Sequence, residues 1–176
     1  MIKRISKAYW VWFQFEDKDT KKLNKIKKIV NYYLKGPYFK IHLTVTGPYL
    51  KFNKKDLDQI NIISKKIKKF KIILNEYKIT NQKFTSFYIS IKNSKKLIEI
   101  RKKFLNTNYK KLNIKYKPHI SLFYGNKDII KKKFVIRKIQ KLNKFITIDK
   151  LCIVDVDEKI NKWKIIKIFK LNNEKN

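Results

Sequence analysis

The apolar and polar positions along the chain follow two different spacings, which divide it into predicted strands and helices. Positions 8–15, AYWVWFQF, form an almost unbroken aromatic and β-branched run that is typical of a buried strand. Residues 17–36 instead place Leu23, Ile26, Val30 and Tyr33 at helical spacing, and Gly36-Pro37 predicts the end of that helix. The chain therefore opens with a strand followed by a helix.

The same two patterns continue to the other end of the chain. In order, they predict strand 39–49, helix 53–70, strand 71–79, a strand near 84–91, a helix near 94–106, strand 118–124, a helix near 127–142, and strands near 145–155 and 162–171. This order contains two β-α-β-α-β units, which favours an internal duplication. We predict one α+β domain over 1–176, with two sheet-bearing lobes over roughly 1–80 and 81–176.

The net charge of the chain is compatible with a nucleic-acid partner but does not establish one. The formal charge is +33, and Lys and Arg neutralise phosphates. However, lysine is spread over the whole chain, and arginine, which suits bidentate phosphate contacts, occurs only at Arg4, Arg101 and Arg137. We attribute most of the charge to a compositional bias toward Lys, Asn and Ile, although it would still attract an anionic substrate.

Other features of the composition exclude several classes of protein. We expect no signal peptide, because the N-terminal apolar run is short and no small-residue cleavage site follows it. No stretch approaches the roughly 18 apolar residues of a membrane span. Cys152 is the only cysteine, so no intrachain disulfide can form. We expect a cytoplasmic monomer.

The two histidines occur in matching sequence contexts. His42 and Thr44 lie in FKIHLTVTGPY, and His119 and Ser121 lie in KPHISLFYG. Residues i and i+2 share one face of a strand, so each histidine has a hydroxyl beside it. Core packing of each histidine is the plainer interpretation, but two such pairs in equivalent strands are an improbable coincidence. A zinc site is disfavoured, since two histidines leave too few ligands.

Two imidazoles and two hydroxyls that face one cleft are suited to displacement at phosphorus without a metal or another cofactor. One imidazole can take a proton from the attacking oxygen while the other protonates the leaving oxygen, roles that are typically worth about 10²–10⁴-fold each in rate. Thr44 and Ser121 can donate hydrogen bonds to the phosphate oxygens on which negative charge develops.

The segments HLTVTG and HISLFYG closely resemble the paired His-x-Thr/Ser motifs of the two-histidine (2H) phosphoesterase superfamily. Within it, the chain looks most like the cyclic phosphodiesterases of plants, fungi and some bacteria. The resemblance extends from YWVWFQFEDKDT to LCIVDVDEKINKWKIIKIF, although the extra cysteines of the plant members are missing. It implies a bilobal fold in which antiparallel sheets line a central cleft.

The resemblance also implies substrates and roles. The family opens nucleoside 2′,3′-cyclic phosphates to 2′-phosphates, and ADP-ribose 1″,2″-cyclic phosphate to the 1″-phosphate. His42, Thr44, His119 and Ser121 match its catalytic positions, with His119 as the base and His42 as the acid. Tyr124 matches a substrate-contacting tyrosine, although strict alternation aims it away from His119 unless the strand ends near Gly125. Trp12 and Phe84, on the first predicted strand of each half, are candidate partners for the nucleoside.

Two alternatives remain open from the sequence. Another branch of the superfamily would process RNA ends or resemble the 2′-5′ RNA ligases, and its substrate would be polymeric RNA. A protein of a different class would be a basic nucleic-acid-binding module with incidental histidines, but no RNA-recognition signature is present.

Overall fold

The computed structural model describes residues 7–92, 95–105, 116–142 and 144–173, and it contains helices packed on an antiparallel sheet. The strands that it describes are β1 (Lys7–Phe15), β2 (Leu43–Tyr49), β3 (Phe70–Ile79), β4 (Phe87–Lys92), β5 (His119–Phe123), β6 (Phe145–Asp157) and β7 (Lys164–Lys170). The helices are α1 (Asp17–Leu34), α2 (Lys54–Lys65), α3 (Lys95–Leu105) and α4 (Ile129–Lys138), with 3₁₀ turns at Lys83–Thr85 and Ile160–Lys162. The predicted α+β class and the repeated β-α-β-α-β order are confirmed.

The strand pairings close on themselves. The order β1-β2-β5-β4-β3-β6 is completed by a further β6–β1 pairing, and β7 adds to β6 outside this ring. If β1 is exchanged with β4, β2 with β5 and β3 with β6, every strand keeps the same kind of neighbours. The topology of the ring therefore has a pseudo-twofold symmetry. Each half gives its third strand to the other half, because β3 pairs with β4 and β6 pairs with β1.

The two faces of the sheet have different environments. Val11, Phe13 and Phe15 of β1 belong to the main core, whereas Trp12 lies on the other face with Cys152 and Val154 in a smaller aromatic-lined cluster. This follows from the alternation of side chains in a strand. The second face is the one that carries the candidate site.

Several predicted boundaries are wrong by a few residues. The first histidine strand begins at Leu43 instead of residue 39, so His42 immediately precedes it. The helix predicted over 53–70 ends at Lys65, and Phe70 begins β3. Phe84 lies in a 3₁₀ turn before β4 instead of on the strand predicted near 84–91. For the helix predicted near 94–106, residues 94 and 106 lie outside the described residues.

Side chains and backbone turns define the ends of three of the helices. Lys35 ends α1 in the left-handed conformation, and its N–H donates to the Asn31 carbonyl. Asn53 and Asp56 form a reciprocal capping box at α2. Asp128 caps α4 by accepting from the backbone of Ile130 and Lys131.

Candidate active site

Both histidines are held by the same local hydrogen bond. The Nδ1 of His42 lies 2.7 Å from the Lys40 carbonyl oxygen, and the Nδ1 of His119 lies 2.9 Å from the Lys117 carbonyl oxygen. A carbonyl can only accept, so each Nδ1 carries the proton and donates it. Each neutral ring is thereby fixed in the tautomer whose Nε2 can accept a proton.

The histidine segments meet where the two halves of the ring join. Strands β2 and β5 are antiparallel, with Leu43 opposite Ile120. Leu43 and Ile120 are completely buried in the main core, so the flanking residues His42, Thr44, His119 and Ser121 belong to the opposite face. The pairing brings the predicted catalytic residues together at the pseudo-twofold axis.

An aromatic ring on the neighbouring strand contacts each histidine, and the two contacts differ. Trp12, opposite Thr44 on β1, stacks on His42 with ring centroids 3.5 Å apart and an interplanar angle of 8°. Tyr88, on β4, is opposite Ser121. Its ring centroid lies 4.9 Å from that of His119, and the interplanar angle is 59°. Trp12 and Tyr88 are thus equivalent under the pseudo-symmetry, but only Trp12 lies flat on its histidine.

This difference is accompanied by a difference in burial and in proton affinity. Burial lowers the pKa of His42 to about 3, and the charges of Lys27 and His119 lower it too, although the bond to Lys40 opposes them. Burial also lowers the pKa of His119, which is partly exposed whereas His42 is buried. In the free protein at neutral pH both rings are therefore uncharged.

Tyr124 lies at the site even though strand alternation alone would aim it away. Strand β5 ends at Phe123, so the condition set by the sequence is met. The centroid of the Tyr124 ring lies 4.2 Å from that of Phe39 and 5.7 Å from that of Trp163. Burial raises the pKa of its phenol to about 12, and the Ser121 hydroxyl has an opposing effect on this pKa. Tyr124 therefore adjoins Ser121 as a neutral phenol.

The two candidate nucleoside partners occupy different positions. Trp12 is 3% exposed, because His42 covers it and Trp163 lies 5.6 Å away. Phe84 is 45% exposed and lies 5.7 Å from Tyr124. Both border the site, and their role toward a nucleoside stays a prediction. Tyr88, not Phe84, is the counterpart of Trp12 in the second half.

Trp163 is a residue of the site that the sequence reasoning missed. Its indole N–H donates to the Asp157 carbonyl at 2.7 Å, and its ring centroid lies 6.3 Å from that of His42. Trp163 lines a cavity of about 60 Å³ together with Trp12, Tyr38, Phe39, Lys40 and Asn161. It lies between the 3₁₀ turn Ile160–Lys162 and β7, and the pattern that predicts a strand near 162–171 does not distinguish it as a site residue.

A buried lysine supports the segment that leads into His42. The Nζ of Lys27, on α1, donates to the Phe39 carbonyl and lies 3.4 Å from the centroid of the Phe39 ring. Burial lowers the pKa of Lys27 to about 8. Its charge is one of the influences that keep His42 neutral.

Among the described residues, no group of three or more His, Cys, Asp and Glu side chains could hold a metal ion. The described helices include none that is long and apolar enough to cross a membrane. Cys152 is buried as a free thiol, and burial raises its pKa to about 12.

Comparison with known proteins gives a family and a fold. A model of the family described as cyclic phosphodiesterase-like protein matches residues 6–174. A search among curated proteins found no significant match.

Solved structures with a similar fold include three from different organisms. The apo form of E. coli LigT has a TM-score of 0.63 at 9% identity, over 95% of this chain and 98% of that chain. TT0787 of Thermus thermophilus has a TM-score of 0.58 at 10% identity, over 96% and 100% of the two chains. Usb1 of Kluyveromyces marxianus has a TM-score of 0.53 at 9% identity, over 95% and 98%. At these identities the likeness concerns the fold.

Proposed function

The chain belongs to the cyclic phosphodiesterase-like family of the 2H phosphoesterase superfamily, and from that premise we propose that it hydrolyses small cyclic phosphates. The substrates that we propose are nucleoside 2′,3′-cyclic phosphates and ADP-ribose 1″,2″-cyclic phosphate. The observation that carries the proposal is the pair of histidines at the β2–β5 junction, each with its Nδ1 fixed by a carbonyl and a hydroxyl residue beside it.

In the proposed reaction, His119 acts as the base and His42 as the acid. The Nε2 of His119 takes a proton from water while the water oxygen bonds to phosphorus. The bond between phosphorus and the 3′ oxygen breaks, and the Nε2 of His42 gives its proton to that oxygen. The product is the 2′-phosphate with a free 3′ hydroxyl. Thr44 and Ser121 donate hydrogen bonds to the non-bridging oxygens.

The two histidines have equivalent positions, so their different roles require a physical cause. His42 is uncharged in the free protein because burial lowers its pKa. A bound phosphate opposes this effect, since an anion within a few ångströms favours the imidazolium. The flat Trp12 ring at 3.5 Å stabilises the same charged form through its π face. His119 lacks such stacking, since Tyr88 is tilted by 59° against it, and it remains the neutral base.

The direct test is phosphorus NMR of the products from a panel of cyclic phosphates. We expect 2′-phosphates from 2′,3′-cyclic nucleotides, at the same rate with and without excess EDTA. A chelation-sensitive rate that a divalent ion restores would contradict the metal-free mechanism. Intact cyclic substrates across the whole panel would contradict the function itself.

A specific surface favours a second candidate substrate, an RNA strand that ends in a 2′,3′-cyclic phosphate. Tyr32 and Phe134 are 68% and 45% exposed, and Tyr33 contacts both rings at the junction of α1 and α4. The Nζ atoms of Lys35 and Lys138 lie 5.0 and 5.2 Å from the Tyr32 and Phe134 rings. Exposed rings with nearby cations are suited to stacking bases and binding phosphates.

A length series distinguishes the two substrates. If RNA is preferred, kcat/KM rises from a cyclic mononucleotide to an oligonucleotide with the same end, and Phe134→Ala removes the rise. Phe145→Ala is the matched control. Phe145 is also about half exposed, at 47%, and the Nζ of Lys144 lies 5.4 Å from the centroid of its ring. However, Phe145 lies elsewhere, at the start of β6 opposite Ile73. Equal kcat/KM at all lengths leaves the mononucleotide as the substrate.

A further inference from the structure

Two side chains of the second half hold the backbone of β2 where Thr44 lies. The Tyr116 hydroxyl donates to the Thr44 carbonyl at 2.7 Å. The Nη1 of Arg101, on α3, donates to the next carbonyl along, that of Val45, at 3.2 Å. The guanidinium of Arg101 also lies 4.5 Å from the centroid of the Tyr116 ring. Arg101 and Tyr116 therefore form one unit, which contacts two consecutive peptide groups.

This unit lies beside the β2–β5 junction, where the ring of strands has few paired residues. Leu43–Ile120 is the paired position between β2 and β5 in the described residues, whereas β1 and β6 pair over most of their length. The junction between β2 and β5 thus has little backbone ladder to fix these two strands relative to each other. Hydrogen bonds from Tyr116 and Arg101 supply such a connection beside the candidate catalytic residues.

The chemistry of the two residues suits this task. Arg101 is one of three arginines among 46 Lys and Arg residues, and a planar guanidinium can stack on a ring while it donates in its own plane, which an ammonium cannot do. Burial raises the pKa of the Tyr116 phenol, so it remains a neutral donor over the working pH range.

We infer that Arg101 and Tyr116 are positioning residues, which fix the Thr44 hydroxyl relative to His119 through the β2 backbone. The inference rests on the proposed function, because it takes Thr44 to donate to the substrate phosphate. A displacement of about 1 Å in a catalytic group can lower the rate by about 10²-fold. Loss of either donor should therefore lower kcat more than it changes KM.

The test is a double-mutant cycle on kcat with Tyr116→Phe, Thr44→Ala and both together. We expect Tyr116→Phe to lower kcat by about tenfold to 10²-fold, and to have less than about a twofold effect when Thr44 is already Ala. Arg101→Lys should behave like Tyr116→Phe. Equal effects of Tyr116→Phe in both backgrounds would overturn the inference, since they would mean that Tyr116 acts independently of Thr44.

Tyr77→Phe is the matched control. The Tyr77 hydroxyl also donates to a backbone carbonyl, that of Gln140 at 2.9 Å, and Tyr77 is a partly buried residue of β3. It should lose a similar hydrogen bond with no change in kcat. A loss of kcat in Tyr77→Phe equal to that in Tyr116→Phe would mean that general stability explains both, and would overturn the inference.

A second measurement does not depend on activity and covers variants or substrates that fail in the assay. Amide hydrogen exchange of peptides that span 43–49, followed by mass spectrometry, reports the local opening of β2. We expect faster exchange there in Tyr116→Phe and Arg101→Lys, and wild-type exchange in Tyr77→Phe. Unchanged protection of this segment overturns the inference even if no cyclic phosphate proves to be a substrate, so the two failures are distinguishable.

Discussion

At the scale of single residues, the site is built from two equivalent histidines that are made different by their neighbours. The Nδ1 bonds to Lys40 and Lys117 are the same in both halves. The stacked Trp12 and the nearby charge of Lys27 affect His42, whereas a tilted Tyr88 borders His119. The different aromatic contacts, a ring stacked flat on His42 and a tilted ring beside His119, are the physical basis on which we propose His42 as the acid and His119 as the base.

The buried, uncharged His42 predicts a dependence of stability on pH. Its pKa is about 3 in the folded protein and about 6.5 in an unfolded chain. Between these values the unfolded state binds more protons, so the free energy of unfolding falls as the pH falls through this window, by up to about 1.4 kcal/mol per pH unit. Above pH 7 the imidazole of His42 causes no further change in the free energy of unfolding.

Urea unfolding between pH 7 and pH 4.5 tests this prediction. His42→Gln should show a weaker pH dependence than wild type over that range, because the group that gains a proton on unfolding is gone. His119→Gln is the comparison, since burial also lowers the pKa of His119, but this ring is partly exposed whereas His42 is buried. Parallel pH curves for wild type and His42→Gln would contradict the burial of an uncharged imidazole at this position.

The residues that the sequence made predictable are those with a chemical signature. His42, Thr44, His119 and Ser121 could be identified because each pair has the i, i+2 spacing of one strand face. The sequence pattern does not identify Tyr88, because FTSFYISI predicts a strand from its first residue, Phe84. The chain instead forms a 3₁₀ turn over Lys83–Thr85. The residue of the second half that is equivalent to Trp12 is therefore Tyr88.

At the scale of elements, the segment between α1 and β2 connects helix packing to the site. The predicted strand start at residue 39 is wrong because backbone groups of this segment bind side chains instead: Phe39 accepts from Lys27, and Lys40 accepts from His42. An apolar pattern cannot distinguish such a segment from a strand. Similarly, the apolar spacing of α2 continues to Phe70, which pairs with Ile148 in the sheet.

Gly36 is predicted to be essential for the approach of α1 to β5. A Cβ at this position would lie 2.4 Å from Cδ2 and 2.6 Å from Cε2 of Phe123, the last residue of β5. Gly36→Ala therefore requires the Phe123 ring or the backbone at residue 36 to shift, which we expect to cost about 1–3 kcal/mol in the free energy of unfolding. Chemical denaturation of the variant measures this cost.

A double-mutant cycle identifies the cause of that loss. In a Phe123→Leu background the smaller side chain should relieve the contact, so Gly36→Ala should cost clearly less than it does in wild type. If Gly36→Ala has the same effect in both backgrounds, contact with Phe123 is not the reason for the glycine.

At the scale of the whole molecule, the halves are interlocked instead of being separate bodies. The sequence predicted the duplication from the order of elements, but not that β3 pairs with β4 and β6, both from the second half. Pairing partners depend on contacts between residues far apart in the chain, and the local apolar pattern of a strand is the same whichever neighbour it has. Single-sequence reasoning therefore gives the elements and leaves their pairing order open.

This interlocking predicts that residues 1–80 do not fold alone. In isolation β3 would lose both of its neighbours and β1 would lose β6, so most of the ring would be absent. We expect the fragment to lack a cooperative thermal transition by circular dichroism, and the intact chain to show one. A cooperative transition of the fragment alone would indicate an independent lobe instead.

The central claim is that His42 and His119 act as an acid–base pair on one phosphate, and the dependence of kcat/KM on pH tests it most directly. For wild type on a 2′,3′-cyclic nucleotide we expect a bell-shaped profile, and His42→Ala and His119→Ala should each lose one limb and about 10²–10⁴-fold in rate. An aryl phosphodiester, whose leaving group needs little protonation, should restore much of the activity of His42→Ala but not of His119→Ala. Wild-type rates for both single variants on the cyclic nucleotide would contradict the account.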